Sequence, residues 1–186
     1  MRKLIILDQL AFNSDPHCGG SVLLPESIKW PRDPKNNPMI LIASFPAKLL
    51  TFYKNIPSNI FCSFFVSYDP KDYNHLIWMA DTYSNHRDGS RLIVHKLSNS
   101  PRMESLSIIN PARTISIEED IETDTEWVQD EIVIDNMEYL FELSGYDIED
   151  AFPGNRGIWR DGVGYFFAST NLGISDDAGY VLLQDT

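Results

Sequence analysis

The chain has 186 residues, 43% of them hydrophobic and 23% charged, which is typical of one folded domain that can bury a sizeable core. This composition excludes a disordered chain, a fibre and a helical membrane bundle. The net charge of -12, from 27 acidic against 15 basic residues, disfavours nucleic acid or an anionic membrane as a partner.

Short apolar runs separated by Pro, Gly, Asn and Asp predict strands along most of the chain. One helix is predicted at 47–55, after Pro46, and the proline-rich stretch 13–38 is expected to be an ordered, irregular loop that packs through its apolar residues Val22, Leu23, Leu24 and Trp30. The fold class expected is α+β, mainly antiparallel β with few short helices, in a single domain over residues 1–186. The predicted strands are 4–7, 39–45, 60–67, 76–80, 91–97, 105–109, 131–134, 137–143, 163–169 and 180–184.

Two parts of the chain resemble each other. An apolar strand at 39–44, a proline turn and the pair Phe64-Phe65 are followed later by a strand at 139–144, a second proline turn and the pair Phe166-Phe167. Either short strands resemble each other by chance, or the fold contains internally duplicated mixed sheets, with halves at about 1–117 and 118–186. The sequence leaves both alternatives open.

The charge is concentrated in the second part of the chain. Residues 1–117 hold 13 basic and 9 acidic residues, whereas residues 118–186 hold 2 and 18. We name residues 118–138 the acidic connection, because it contains ten acids and neither Lys nor Arg. It is either a solvated face or a docking surface for a basic partner. A calcium loop is a weaker alternative, since the turn glycine of an EF-hand is missing. The predicted partner-binding residues are Glu118, Glu119, Asp120, Glu122, Asp124, Glu126, Trp127, Asp130, Glu131 and Asp135.

Motifs for catalysis are missing from the sequence. It has no phosphate-binding glycine loop, no serine nucleophile elbow and no zinc-binding histidine pair. The pair His17-Cys18 beside two glycines resembles a thiol nucleophile with its oxyanion pocket, but a buried packing cysteine is the alternative. The sequence therefore predicts no catalytic residue, no metal and no cofactor. Because Cys18 and Cys62 are its only cysteines, a reducing cytoplasm is the expected compartment.

Motifs in the proline-rich loop and near the C-terminus resemble those of the YwqG-like family, a domain of unknown function. They occur in the family's order from about Cys18 to the C-terminus, but Ser44 and Glu142 stand where the family's strands carry glutamine. The matching segments are Gly19-Gly20, Leu24-Pro25, Trp30-Pro31, Pro38-Met39, Ile56-Pro57, Phe64-Phe65, 159–167 and 181–184.

This resemblance implies a mixed, mainly antiparallel and internally duplicated β fold without established catalytic residues. It also implies an immunity role, because family members occur beside secreted polymorphic toxins. The leading hypothesis is therefore a cytoplasmic immunity protein, not an enzyme, whose acidic surface occludes the basic cleft of a cognate antibacterial toxin. The alternative is a housekeeping YwqG-like domain that binds or transforms a small molecule in a pocket lined by Trp30, Trp159 and Tyr165.

Overall fold

The computed structural model describes residues 2–51, 53, 56–57, 59–80, 86–105, 109–119 and 132–184. In this part of the chain, nine strands and two α-helices are formed. The helices are α1 (Asn74–Met79) and α2 (Gly145–Ala151). The strands are β1 (Arg2–Leu10), β2 (His17–Cys18), β3 (Ile40–Pro46), β4 (Ile60–Val66), β5 (Ser90–Lys96), β6 (Arg113–Glu119), β7 (Met137–Ser144), β8 (Val163–Ser169) and β9 (Ser175–Gln184).

The nine strands form one closed barrel in the order β1-β6-β2-β3-β4-β5-β9-β8-β7. All neighbours are antiparallel except β1 and β7, which meet in parallel at Lys3 and Glu142. The expected mainly β fold is confirmed. The expectation of separate sheets needs correction, because β5 pairs with β9 and so joins the two halves into one continuous sheet.

The two similar parts of the sequence fall on strands with the same arrangement. In β3 and β4, Leu41 faces Phe65 and Ala43 faces Phe64, with a bulge between the two pairs. In β7 and β8, Tyr139 faces Phe167 and Phe141 faces Phe166, again with a bulge at that place. By this register, Ser44 of the first half occupies the position that Glu142 holds in the second.

A cluster of four buried phenylalanines fills the centre of the barrel. Two come from β3 and β4, and two come from β7 and β8, so the cluster spans both halves. The Phe64 and Phe166 rings meet edge to face with centroids 4.8 Å apart, and the Phe141 and Phe166 centroids lie 4.6 Å apart. Phe45 completes the cluster, 5.7 Å from Phe141. Such ring pairs add about 0.5–1.5 kcal/mol each beyond the area that they bury.

The proline-rich loop covers the outside of the first half. Its Trp30 packs edge-on against Phe65, with ring centroids 5.0 Å apart, and donates a hydrogen bond from Nε1 to the Met39 carbonyl oxygen at 2.9 Å. Val22 and Leu24 complete this outer cluster and are fully buried. The expected ordered loop is thereby confirmed, and Leu23 is half-buried beside it.

The outside of the second half carries a corresponding apolar cluster. Tyr165, Phe167, Tyr180 and Leu182 are buried there, and the half-buried Ile132 and Ile134 pack against them. These two isoleucines belong to the last part of the acidic connection. Each half is therefore preceded by residues that pack on its outer face.

Several predicted elements are wrong. The strand expected at 76–80 is helix α1, because His75 and Met79, four residues apart, are buried on the same helical face. In place of the helix expected at 47–55, the described residues form one 3-10 turn, Ala47–Leu49, and residues 52, 54 and 55 lie outside the described part of the chain. Residues 132–134 belong to no strand, and residues 106–108 and 131 lie outside the described part of the chain. The sequence reading also missed β2, β6 and α2.

The two α-helices of the described residues have six and seven residues, and no helix among them has the length and apolarity needed to cross a membrane.

Replacing Gly19 with alanine should destabilise the barrel by about 1–3 kcal/mol. Gly19 has a φ of +72°, and a Cβ atom there would lie 2.5 Å from the Ile109 carbonyl oxygen. Gly173→Ala is the matched control, because nothing lies within 4 Å of its Cβ position. Urea unfolding measures both variants, and equal midpoints would contradict the prediction.

Candidate functional site

The acidic connection joins β6 to β7 at one end of the barrel. Glu118 and Glu119 are the last residues of β6, and Glu138 lies at the start of β7 with Asp135 just before it. β1 lies between β6 and β7. The connection therefore begins on one side of the first residues of β1 and ends on the other side. The other predicted contact residues lie outside the described part of the chain: Asp120, Glu122, Asp124, Glu126, Trp127, Asp130 and Glu131.

The described carboxylates at this end outnumber the cations. Arg2 forms an ion pair with Glu138, 3.8 Å from Nη2 to Oε1, and its guanidinium lies 5.5 Å from the centroid of the Tyr139 ring. Lys3 pairs with the nearly buried Glu142, 3.6 Å from Nζ to Oε1. In the β1–β6 register, Lys3 and Arg2 also stand opposite Glu118 and Glu119. Two cations thus face four carboxylates, which leaves this end negative.

The three residues of the predicted pocket are not brought together. Trp30 belongs to the outer cluster of the first half, and Tyr165 belongs to the outer cluster of the second. Trp159 is buried in the barrel interior, where its ring packs 5.7 Å from Phe166. Tyr165 and Phe166 are neighbours on one strand, so their side chains point to opposite faces of the sheet.

A buried polar chain that the sequence reading missed crosses β3, β4 and β5. The Ser44 and Ser63 hydroxyl oxygens are 2.9 Å apart, and the Ser63 oxygen lies 2.8 Å from His95 Nε2. Since His95 Nδ1 lies 2.8 Å from the Lys96 carbonyl oxygen, Nδ1 carries the proton and Nε2 accepts one from Ser63. The sequence signal was three polar residues at outward positions of apolar strands.

This Ser63–His95 pair has the order of a nucleophile and its general base, but its burial gives it a structural role. Ser44, Ser63 and His95 are at most 1% exposed, and they line none of the cavities described below. These hydrogen bonds therefore satisfy the buried polar groups and link the neighbouring strands β3, β4 and β5.

His17 is a second buried histidine on this side of the barrel. It stands opposite Ser44 in the β2–β3 register, and its ring nitrogens lie 2.7 Å from the Asp15 carbonyl oxygen and 3.1 Å from the Ser21 carbonyl oxygen. Burial lowers the pKa of both His17 and His95, although the hydrogen bonds to carbonyl oxygens oppose the change. The fold therefore favours neutral imidazoles at both positions.

The reading of Cys18 as a thiol nucleophile is wrong. Cys18 is fully buried in the barrel core, and burial raises the pKa of its thiol well above the ordinary value. Cys62 is likewise buried and free, with a raised pKa for the same reason. A reactive thiolate needs a lowered pKa and solvent access, so the alternative of a packing cysteine holds.

Two open cavities follow one another along β1 and the residues after it. The first, of about 480 Å³, lies between β1 and α2 and is lined by residues 5–8 together with Arg113, Asp147, Asp150 and Pro153. The second, of about 500 Å³, is lined by residues 10–13 together with Met103, Pro111 and Ala112. Among the described residues, no group of three or more His, Cys, Asp or Glu side chains could hold a metal ion.

A family model for a domain of unknown function (DUF1963) matches residues 17–152. The matched region runs from β2 to the end of α2 and includes the proline-rich loop. A comparison with curated proteins found no significant match.

Stability should fall as the pH drops below about 6.5, the ordinary pKa of histidine. The unfolded chain then takes up protons at His17 and His95, whereas the folded chain with its lowered pKa values does not. His95→Gln should make this dependence shallower, and it is a conservative change because Gln184 holds the equivalent position in the second half. Urea unfolding of both proteins between about pH 7.5 and 5.5 measures it, and parallel curves would refute the assignment to His95.

Proposed function

The chain belongs to the DUF1963 family of domains of unknown function, and within it we propose that this protein is a cytoplasmic, YwqG-like immunity protein. In this proposal it binds a cognate, secreted antibacterial toxin through the acidic connection and occludes the toxin's active cleft. It acts by binding and not by catalysis.

The excess of carboxylates at one end of the barrel carries this proposal. Arg2 and Lys3 are already paired with Glu138 and Glu142, so they do not offset the remaining acids of the connection. Like charges at this density repel one another. A basic partner would relieve that repulsion, which gives the segment a use beyond joining two strands.

The chemistry of a toxin cleft fits this surface. A toxin that acts on nucleic acid or nucleotides needs cationic side chains at its active site, because its substrate is an anion. A row of carboxylates can occupy such a cleft in place of phosphates, and the opposite charges speed the encounter of the two proteins. Trp127 is the proposed aromatic anchor, since aromatic residues are enriched at binding hot spots.

The burial of the polar chain supports binding over catalysis. The Ser63–His95 pair is fully buried, and the Cys18 thiol is enclosed in the core. The alternative of a small-molecule pocket has less support, because Trp30, Trp159 and Tyr165 lie in three separate clusters.

Changing Glu118, Glu119, Glu122 and Glu126 to glutamine should slow association with the toxin by roughly tenfold and weaken its salt dependence. The measurement is surface plasmon resonance with the product of the neighbouring gene, together with protection of cells on co-expression. A second variant, Glu26→Gln with Asp176→Asn, removes exposed acids outside the connection and should leave the rate nearly unchanged.

Two results would overturn the proposal. One is no complex between the unchanged protein and the neighbouring gene's product at micromolar concentration. The other is full toxicity when both are expressed together.

A further inference from the structure

The second side of β1 lacks a partner strand over most of its length in the described structure. Among the described residues, β7 pairs with β1 only at Lys3 and Glu142. β7 ends two residues later, at Ser144, and the chain continues into α2. Residues 6–10 of β1 therefore extend beyond the end of β7, and the cavity of about 480 Å³ lies between them and α2.

The residues at and after the end of β1 carry an apolar surface, which lies towards the β6 side of the strand, beside Pro111 and Ala112. Leu10 is 65% exposed and Phe12 is 80% exposed, and Met103 lies beside them with 48% of its surface exposed. All three line the cavity of about 500 Å³. Large exposed apolar side chains grouped around a cavity are typical of a contact site for another protein.

The unpaired side of β1, which faces α2, is acidic. Asp8, Asp147 and Asp150 line the cavity between β1 and α2, and the cation that lines it, Arg113, is already bonded to Asp8. Partial burial raises the pKa of Asp147, the nearby Asp150 raises it further, and Lys3 lowers it. The negative charge of this cavity is therefore only partly compensated.

We propose that this edge of β1 binds an extended, basic segment of a partner protein, which adds as a strand to β1 beside α2. In such a complex the backbone of the segment pairs with residues 6–10, as in other cases of strand addition. Lysine or arginine side chains of the segment lie near Asp147 and Asp150. An apolar residue at the end of the segment reaches past Leu10, at the end of β1, to the cavity beside Phe12 and Met103.

Charge selects this occupant over two others. A second copy of the chain would bring a net charge of -12 and its own Asp8, Asp147 and Asp150 against the same carboxylates. The acidic connection of the same molecule has the same sign. Both are repelled by this cavity, whereas a basic segment is attracted.

The edge of β1 is a surface other than the acidic connection, and its binding of a basic segment does not depend on a toxin. The probe is therefore a synthetic eight-residue peptide that alternates lysine with valine and ends in phenylalanine. One control is the same peptide with glutamate in place of lysine. Two further controls keep the lysines and are methylated on backbone nitrogens, one at the valines and the other at the lysines. Methylation leaves the charges in place and removes the backbone donors of one strand edge at a time.

The lysine peptide should shift the NMR amide signals of residues 5–12 and 145–151 of the full chain, and the glutamate peptide should not. One methylated version should bind at least tenfold more weakly than the other, because a strand uses only one of its edges in pairing with β1. Asp147→Asn with Asp150→Asn should weaken binding about tenfold, and Phe12→Ala should also weaken it. Glu26→Gln with Asp176→Asn should leave the affinity unchanged.

Any of three results would overturn the proposal. The first is an absence of signal shifts at peptide concentrations up to about 1 mM, the weak limit of specific binding. The second is equal affinity for the two methylated peptides, which would indicate attraction of charges without strand pairing. The third is signal shifts centred on the acidic connection, which would move the site to the surface of the proposed toxin complex.

Discussion

Four phenylalanine rings at the centre of the barrel hold its two halves together, and the rest of the architecture depends on this contact. Phe45 and Phe64 come from the first half, and Phe141 and Phe166 come from the second. Once these rings are buried, the alternation along each strand decides which neighbours face outward. Leu41 and Phe65 on one side and Tyr139 and Phe167 on the other must then be covered from outside.

The two halves cover their outer faces with different segments. The first half uses the proline-rich loop, which Trp30 anchors through its hydrogen bond to Met39 and its contact with Phe65. The second half uses Ile132 and Ile134 at the end of the acidic connection. The conspicuous motif residues of the loop therefore act in packing, and the acidic connection has a structural part beside its charged part.

Buried polar residues on the outer faces of the two halves occupy equivalent positions but make different contacts. The positions of Ser44 and His95 in the first half correspond to those of Glu142 and Gln184 in the second, and all four residues are buried. In the first half, hydrogen bonds link Ser44 to His95 through Ser63. In the second half, Glu142 forms an ion pair with Lys3 of β1. The two proposed contacts therefore depend on other groups, those of the acidic connection and those along β1.

The sequence by itself determined most of the strands, the presence of an ordered proline-rich loop and the concentration of negative charge in residues 118–186. These features depend on local patterns and on composition. The prediction of a strand at 76–80 is wrong. The helical spacing of His75 and Met79 can be recognised only once His75 is known to be buried. Only the tertiary structure decided that β5 pairs with β9, that Trp30, Trp159 and Tyr165 lie apart, and that Ser63 meets His95. These contacts join residues far apart in the chain, and no local pattern determines which distant strand, or which face of it, a side chain will meet.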